Sequence, residues 1–275
     1  MNSKARKLKI GVVGCGAIGS RIARSVKTDL KNECQLSGLF DINHEKSSQL
    51  AKDLSVKGAY KKSLEELIRD CDCMVEAVSA DDTKNIVQKA LKAKKSVLCM
   101  SVGKLLNAPE LFRLAKKNHC SLLLPSGAIA GLDAIKAASL IAIQKITLTT
   151  RKPLTGFRDN PYFRQKGIGL SKITKETVLF DGTVEEAVKL FPQNINVAAT
   201  LALASNANKK ISIRILTSPD YKTNSHEIDM TGDFGRITTR TDNVVCPDNP
   251  KTSYLAVLSG IQTLKQFCTG ILIGT

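Results

Sequence analysis

The sequence predicts an α/β protein: a doubly wound parallel sheet in the N-terminal half, joined to a second domain of α+β type. Three observations predict it. Apolar strand-like runs alternate with helix-spaced segments from residue 7 to residue 125, the sequence form of a parallel sheet wound by helices. After Pro125 the style changes, and β-branched alternating segments such as "QKITLTTRKP" and "ISIRILTSP" replace the continuous apolar runs. The chain is 275 residues long and 43% hydrophobic, enough to bury a substantial core, and its length suggests two domains or one large α/β unit.

Taken in order, "KLKIGVV" reads as a buried strand, and "AIGSRIARSVKTD" follows with Ile18, Ile22 and Val26 on one helical face. "CQLSGLFDI" is the second strand and "HEKSSQLAKDL" a helix. "VKGAYKK" is short and extended, and "SLEELIRD" opens with the Ser-x-x-Glu pattern of a capping box. "CDCMVEAVS" is the third strand, and "DDTKNIVQKALKAK" a helix whose acidic start suits the helix dipole. "KSVLCMSVG" is the fourth strand, "APELFRLAKKN" a helix and "CSLLLPSG" the fifth strand. In the second half "GLDAIKAASL" is helical, the β-branched segments, "GRITTRT" among them, predict antiparallel strands, and "TSYLAVLSGIQTLKQF" is helical by the spacing of Leu255, Leu258, Ile261 and Leu264.

Gly14, Gly16 and Gly19 form G-x-G-x-x-G between the first strand and the first helix, the context in which the motif binds a dinucleotide. Gly14 permits the tight turn, Gly16 lets backbone approach a pyrophosphate, and Gly19 lets helix and strand pack closely. Ala17 and Ile18 open the helix, whose free N–H groups face the phosphates. Asp41 ends the second strand about 20 residues on, where an acid grips the ribose hydroxyls. This is a Rossmann-type unit. A carboxylate at Asp41 favours NAD over NADP, while Lys46 and Asn43 nearby leave NADP open. The predicted organisation is therefore a dinucleotide-binding domain over 1–125, a substrate and dimerisation domain over 126–251, and a C-terminal helix at about 252–270 that packs back on the first domain.

Composition narrows the function. No run approaches the roughly 18 apolar residues of a membrane helix. The basic "MNSKARKLK" runs into a strand without the apolar stretch of a signal peptide, which predicts a cytoplasmic protein with no membrane partner. The eight cysteines contain no C-x-x-C and do not cluster with His44, His119 or His226, so free thiols and no metal site are expected. A net charge of +16 raises nucleic-acid binding as a rival class. The lysines are dispersed and aromatic residues are only 4% with no Trp, so no base-stacking platform is expected and the charge reads as a field for anionic ligands.

Further blocks stand out: "SGAIAGLDAI" (126–135), "TTRKP" (149–153), "FPQNINVAATLALA" (191–204), "NSHEIDMTGDFG" (224–235) and "NPKTS" (249–253). With "GVVGCGAIGSRIA" they resemble the L-aspartate dehydrogenase family nearly end to end. The resemblance implies a Rossmann domain with an α+β substrate domain in a homodimer. It also implies NAD- or NADP-dependent oxidation of L-aspartate to iminoaspartate, which hydrolyses to oxaloacetate and ammonia or enters NAD biosynthesis. It implies that Ala130 and Asn196 contact the cofactor and that His226 is the active-site histidine. Asn194 beside Asn196 is read as a cap. The alternative is a related homoserine-type or other small-acid dehydrogenase.

The chemistry asks for a base that works near neutral pH and for groups that hold two carboxylates. His226, the one histidine of the second domain, meets the first need by its ordinary proton affinity. Lys251, Thr252 and Ser253 in "NPKTS" offer an anion site ahead of the last helix, or simply cap it. Arg151 and Lys152 are weaker candidates, equally consistent with the end of a strand. Cys15, inside the glycine turn, is open to oxidation if exposed.

Overall fold

The computed structural model describes residues 6–78, 81–157, 160–166, 168–191, 196–247 and 249–274. The chain divides into two compact units, one of residues 1–125 with 257–273, the other of residues 126–256 with 274–275.

The first unit runs β1 (Leu8–Val13), α1 (Ala17–Lys27), β2 (Cys34–Phe40), α2 (His44–Asp53), α3 (Leu64–Asp70), β3 (Cys73–Glu76), α4 (Thr83–Lys92), β4 (Ser96–Cys99), α5 (Pro109–Lys117) and β5 (Leu122–Leu123). Its sheet is parallel throughout, in the order β2-β1-β3-β4-β5. The strands are apolar runs because both faces are covered by helices. Ile10, Val12, Leu39, Met74, Val75 and Leu98 are essentially inaccessible. Each such side chain contributes about 2 kcal/mol of burial. The helices start on local signals. Asn43 caps α2 by accepting the Glu45 N–H, Ser63 caps α3 by accepting the Glu66 N–H, and Pro109 occupies the first turn of α5. At α3 the reciprocal half of the box is displaced by one residue: the Glu66 carboxylate accepts from the Lys62 N–H at 2.8 Å.

The second unit contains α6 (Leu132–Ala138), β6 (Ile143–Pro153), α7 (Pro161–Gln165), β7 (Thr177–Thr183), α8 (Val184–Leu190), α9 (Asn196–Ser205), β8 (Ile211–Ser218), β9 (Asn224–Gly232), β10 (Gly235–Asn243) and the short pair β11 (Val245–Cys246) and β12 (Asn249–Ser253). The main sheet has the order β10-β9-β6-β8-β7. It is not wholly antiparallel as the alternation had predicted, because β6 and β8 pair in parallel. Parallel neighbours need a long crossover, and β7, α8 and α9 supply it. One face of this sheet is apolar, with Ile146, Leu148, Ile213, Ile228 and Met230 buried. The other is ionic, with Arg151 on Glu227 at 2.9 Å and Arg236 on Asp229 at 2.5 Å. A full capping box, Thr183 with Glu186, starts α8.

The last helix, α10 (Tyr254–Thr269), begins directly after β12. From Val257 onward it belongs to the first unit, where a Cβ at Gly260 would lie 2.7 Å from the sulfur of Met100. Among the described residues no helix is long and apolar enough to cross a membrane, and no group of His, Cys, Asp and Glu is arranged to hold a metal. All eight cysteines are free thiols.

Candidate active site

In the first unit, the candidate cofactor site is built by the turn between β1 and α1. Gly14 sits at φ +88°, and a Cβ there would lie 2.5 Å from the Ala77 carbonyl oxygen. A Cβ at Gly19 would run into the carbonyl oxygen of Gly14, so helix and turn approach as closely as glycine allows. At Gly16 an added Cβ would meet nothing within 4 Å, which leaves open space over the turn. No side chain caps α1 at Gly16, so the first-turn amides at Ala17 and Ile18 remain for a ligand. This cradle fits a pyrophosphate.

Asp41 belongs to the same constellation. Its carboxylate accepts the Cys15 N–H at 2.7 Å and the Asn43 N–H at 2.9 Å, which ties the end of β2 to the turn. Two of its roughly four acceptor positions are thereby used, and the others suit ribose hydroxyls. Asn43 is committed to capping α2. Lys46 lines, with Cys15, Ser20 and Gln49, a cleft of about 600 Å³ beside the turn. Cys15 is itself buried, and burial with the Asp41 charge pushes its thiol up to about 12. The thiol is therefore unreactive, which removes the oxidation considered for an exposed cysteine.

A third participant was missed in the sequence. Glu76, at the end of β3, is wholly inaccessible and collects donors from two loops. Oε1 accepts the Val78 N–H at 3.0 Å and the Thr83 hydroxyl at 3.2 Å, and lies 2.9 Å from Ser101 Oγ. Oε2 accepts the Ser101 N–H at 3.1 Å and the Cys99 thiol at 3.0 Å. The available signal was a lone acid inside the apolar run "CMVEAV", since such an acid must be hydrogen-bonded to stay in the core. The backbone that Glu76 anchors, Ala77 and Val78, is the wall against which Gly14 packs.

In the second unit, the candidate catalytic residues lie on the apolar face of its sheet. His226 is the third residue of β9 and is buried, 5% exposed. It stands in register with Thr150 of β6, whose hydroxyl is 3.0 Å from His226 Nδ1. Lys152, two residues beyond Thr150, shares that face by strand alternation. Burial and the Lys152 ammonium both disfavour the imidazolium and bring His226 down to about 3. Burial brings Lys152 down to about 8. The ordinary proton affinity assumed for His226 from the sequence is thus replaced by a strongly lowered one. Thr150 and Lys152 also line a cavity of about 10 Å³ with Phe157, Phe191, Ile213 and Ala198, the last on the opening turn of α9.

The remaining candidates divide. Ala130 is exposed, and its carbonyl accepts the Thr239 hydroxyl at 3.1 Å. The Ala128 carbonyl accepts from Thr241 at 2.7 Å and Asn243 at 3.1 Å, and Thr241 is the register partner of His226. The Ala128–Ala130 segment is therefore held one strand away from the histidine. Asn196 is the exposed first residue of α9, while Asn194 lies outside the described residues. Lys251, Thr252 and Ser253 lie directly ahead of the last helix as predicted, within β12, where Ser253 is buried and pairs with Val245. The side chain of Lys251 lies outside the described residues.

A family model described as aspartate dehydrogenase, C-terminal, matches residues 133–267, and one described as homoserine dehydrogenase, NAD binding domain, matches residues 14–125. The L-aspartate dehydrogenase of Methanosarcina mazei is 46% identical over 272 residues, 98% of this chain and 100% of the relative. That of Methanococcus maripaludis strain C7 is 41% identical over 272 residues, again 98% and 100%. The crystal structure of aspartate dehydrogenase from Thermotoga maritima superposes with a TM-score of 0.73 over 98% of this chain and 100% of that one. At 23% identity that likeness is one of fold. A homoserine dehydrogenase from Thiobacillus denitrificans gives a TM-score of 0.61 at 12% identity, covering 96% of this chain and 73% of that one.

Proposed function

The chain belongs to the aspartate dehydrogenase family, and from that premise we propose that it catalyses the NAD- or NADP-dependent oxidation of L-aspartate to iminoaspartate. The observation that carries the reading is the constellation of buried His226 and Thr150 with half-buried Lys152 on one sheet face. It joins a neutral imidazole to a cation, as an amino acid with two carboxylates requires. The homoserine-type alternative draws on the match of residues 14–125 to a homoserine dehydrogenase NAD binding domain, whereas residues 133–267 match an aspartate dehydrogenase model.

Gly14, Gly16, Gly19, the amides of Ala17 and Ile18, and the Asp41 carboxylate would hold the dinucleotide. Ala130 and Asn196 are proposed as further contacts, on the family resemblance alone. When bound, NAD(P)⁺ supplies the hydride acceptor.

The chain's own task is to prepare the substrate. The α-amino group must lose its proton before its lone pair can assist departure of the Cα hydride. His226 is neutral at pH 7 and offers an unprotonated nitrogen, although burial and the Lys152 ammonium make it a weaker base than an exposed histidine. With Nδ1–H donating to Thr150 Oγ1, the Nε2 lone pair is left for the substrate. The cation at Lys152 and the hydroxyls at Thr252 and Ser253 are proposed to receive carboxylates. Iminoaspartate then hydrolyses to oxaloacetate and ammonia or feeds NAD biosynthesis.

The proposal includes a homodimer, for which Leu140 and Val244, 85% and 62% exposed in the second unit, provide apolar surface. It includes cytoplasmic residence, in keeping with the eight free thiols. Replacing His226 by Ala tests the catalytic assignment. Turnover is expected to fall by about 100-fold or more, as for loss of a general base, with NADH affinity retained. Unchanged turnover would remove His226 from the mechanism.

A further inference from the structure

The parallel sheet of the first unit divides its cysteines between two faces. Cys71 and Cys99 lie in one apolar cluster with residues of α3, α4 and α5. Cys34 and Cys73 belong to the other face: Leu36 of β2 and Cys73 of β3 both stand in register with Ile10 of β1, and Cys34 is two residues before Leu36. The helices α1 and α10 lie on that side. A Cβ at Gly19 of α1 would sit 3.3 Å from Val12, two residues after Ile10, and one at Gly260 of α10 would sit 3.8 Å from Ile22 of α1. The buried stripe of α10 is Val257, Gly260 and Leu264, and Cys268 continues it one turn further on. There the thiols of Cys34 and Cys268 are hydrogen-bonded to each other. We propose that Cys34 and Cys268 form a reversible disulfide that fastens α10 to the outermost strand of the sheet.

The burial of the thiols assigns their roles. Cys34 is 1% exposed and Cys73 is inaccessible, whereas Cys268 is half-buried in the last turn of its helix, so Cys268 is the thiol of this group that solvent reaches. The hydrogen bond donated by Cys34 favours the Cys268 thiolate and lowers its pKa, while Cys34 is held protonated. Glu33 acts against both thiolates; its Oε2 is buried with no hydrogen-bond partner among the described residues. The thiolate is the attacking form. The oxidant is a low-molecular-weight disulfide, RSSR. The Cys268 thiolate attacks one of its sulfurs, RS⁻ leaves, and a mixed disulfide forms. Cys34 then gives up its proton and attacks the Cys268 sulfur, and the second RS⁻ leaves. RSSR is reduced to two RSH, which carry the two protons of the protein thiols, and those thiols are oxidised to one S–S bond. Excess RSH runs the exchange backwards. The bond closes nearly the whole chain into a loop, which restricts the unfolded state strongly.

The test treats the folded full-length chain with oxidised glutathione, without oxygen, and then alkylates the remaining thiols for mass spectrometry. The wild type is expected to lose two of its eight thiols, to give one cross-linked peptide pair joining Cys34 to Cys268, and to melt about 5 °C or more higher. Dithiothreitol is expected to restore both the thiols and the original Tm. Cys34→Ser is expected to stop at the mixed disulfide, with glutathione left on Cys268 and no rise in Tm. Cys268→Ser is expected to take up no glutathione at Cys34 and to form no cross-link. C73S is expected to behave as the wild type. C34A and C268A repeat the test should a buried serine prevent folding. Eight free thiols after treatment of the wild type would overturn the proposal, as would glutathione left on Cys268 without a cross-link, or a cross-link between any other pair. An equal rise in Tm in C34S or C34A would overturn the fastening of α10. Each result is read without a turnover assay, so it stands apart from the reading of this chain as an aspartate dehydrogenase.

Discussion

His226 is neutral at pH 7 because burial and the neighbouring ammonium act in the same direction. The same fact shapes stability. An unfolded histidine titrates near 6.5, whereas the folded one titrates at about 3. Between these values the unfolded chain binds a proton that the folded chain refuses, so stability falls as pH drops from 6.5 towards 3. At pH 5 the loss from this residue is about 2 kcal/mol relative to pH 7. Unfolding free energies from urea titrations at the two pH values are expected to differ less in H226Q than in wild type by that amount. Equal differences would mean that His226 is not held neutral by the fold. At this scale the glycine turn and Asp41 were legible because backbone conformation demands those residue types at that spacing. Lys152 was not: "RKP" offers two adjacent cations, and only pairing with β8 and β9 decides which one shares a face with His226.

The element that links sheet to cofactor turn is the end of β3. Five donors converge on the Glu76 carboxylate, from the β3–α4 connection and from the end of β4. A carboxamide in its place must turn its NH₂ toward at least one N–H or O–H donor. E76Q is therefore expected to loosen both loops and the wall behind Gly14, with about tenfold weaker NADH binding and a lower Tm, as follows from an unsatisfied buried donor. NADH titration and thermal melts read the two effects. Wild-type NADH affinity in a destabilised E76Q would confine Glu76 to a structural role. The strands and helices of the first unit could be read one by one, since each strand is an apolar run and each helix has a cap or a periodic face. The second sheet was less legible. Its parallel β6–β8 pairing depends on a crossover of more than fifty residues, in which local alternation carries no information about partner or direction. "NPKTS" does lead directly into the last helix, and its pairing with β11 adds that it reaches that helix as a short strand.

At the scale of the molecule, one unit carries the glycine cradle and the other carries the His226 face. The net charge of +16 becomes intelligible as a field for anions, since a dinucleotide and a dicarboxylate are both anionic. The substrate was written in the second unit and not in the motif that first draws the eye: a glycine turn serves any dinucleotide, whereas residues 133–267 match the C-terminal model of aspartate dehydrogenase. The central claim is most directly tested by following NADH and NADPH formation with L-aspartate, homoserine and a panel of other amino acids, with each cofactor in turn. Turnover with L-aspartate well above every other substrate is predicted; no aspartate-dependent reduction of either cofactor would contradict it.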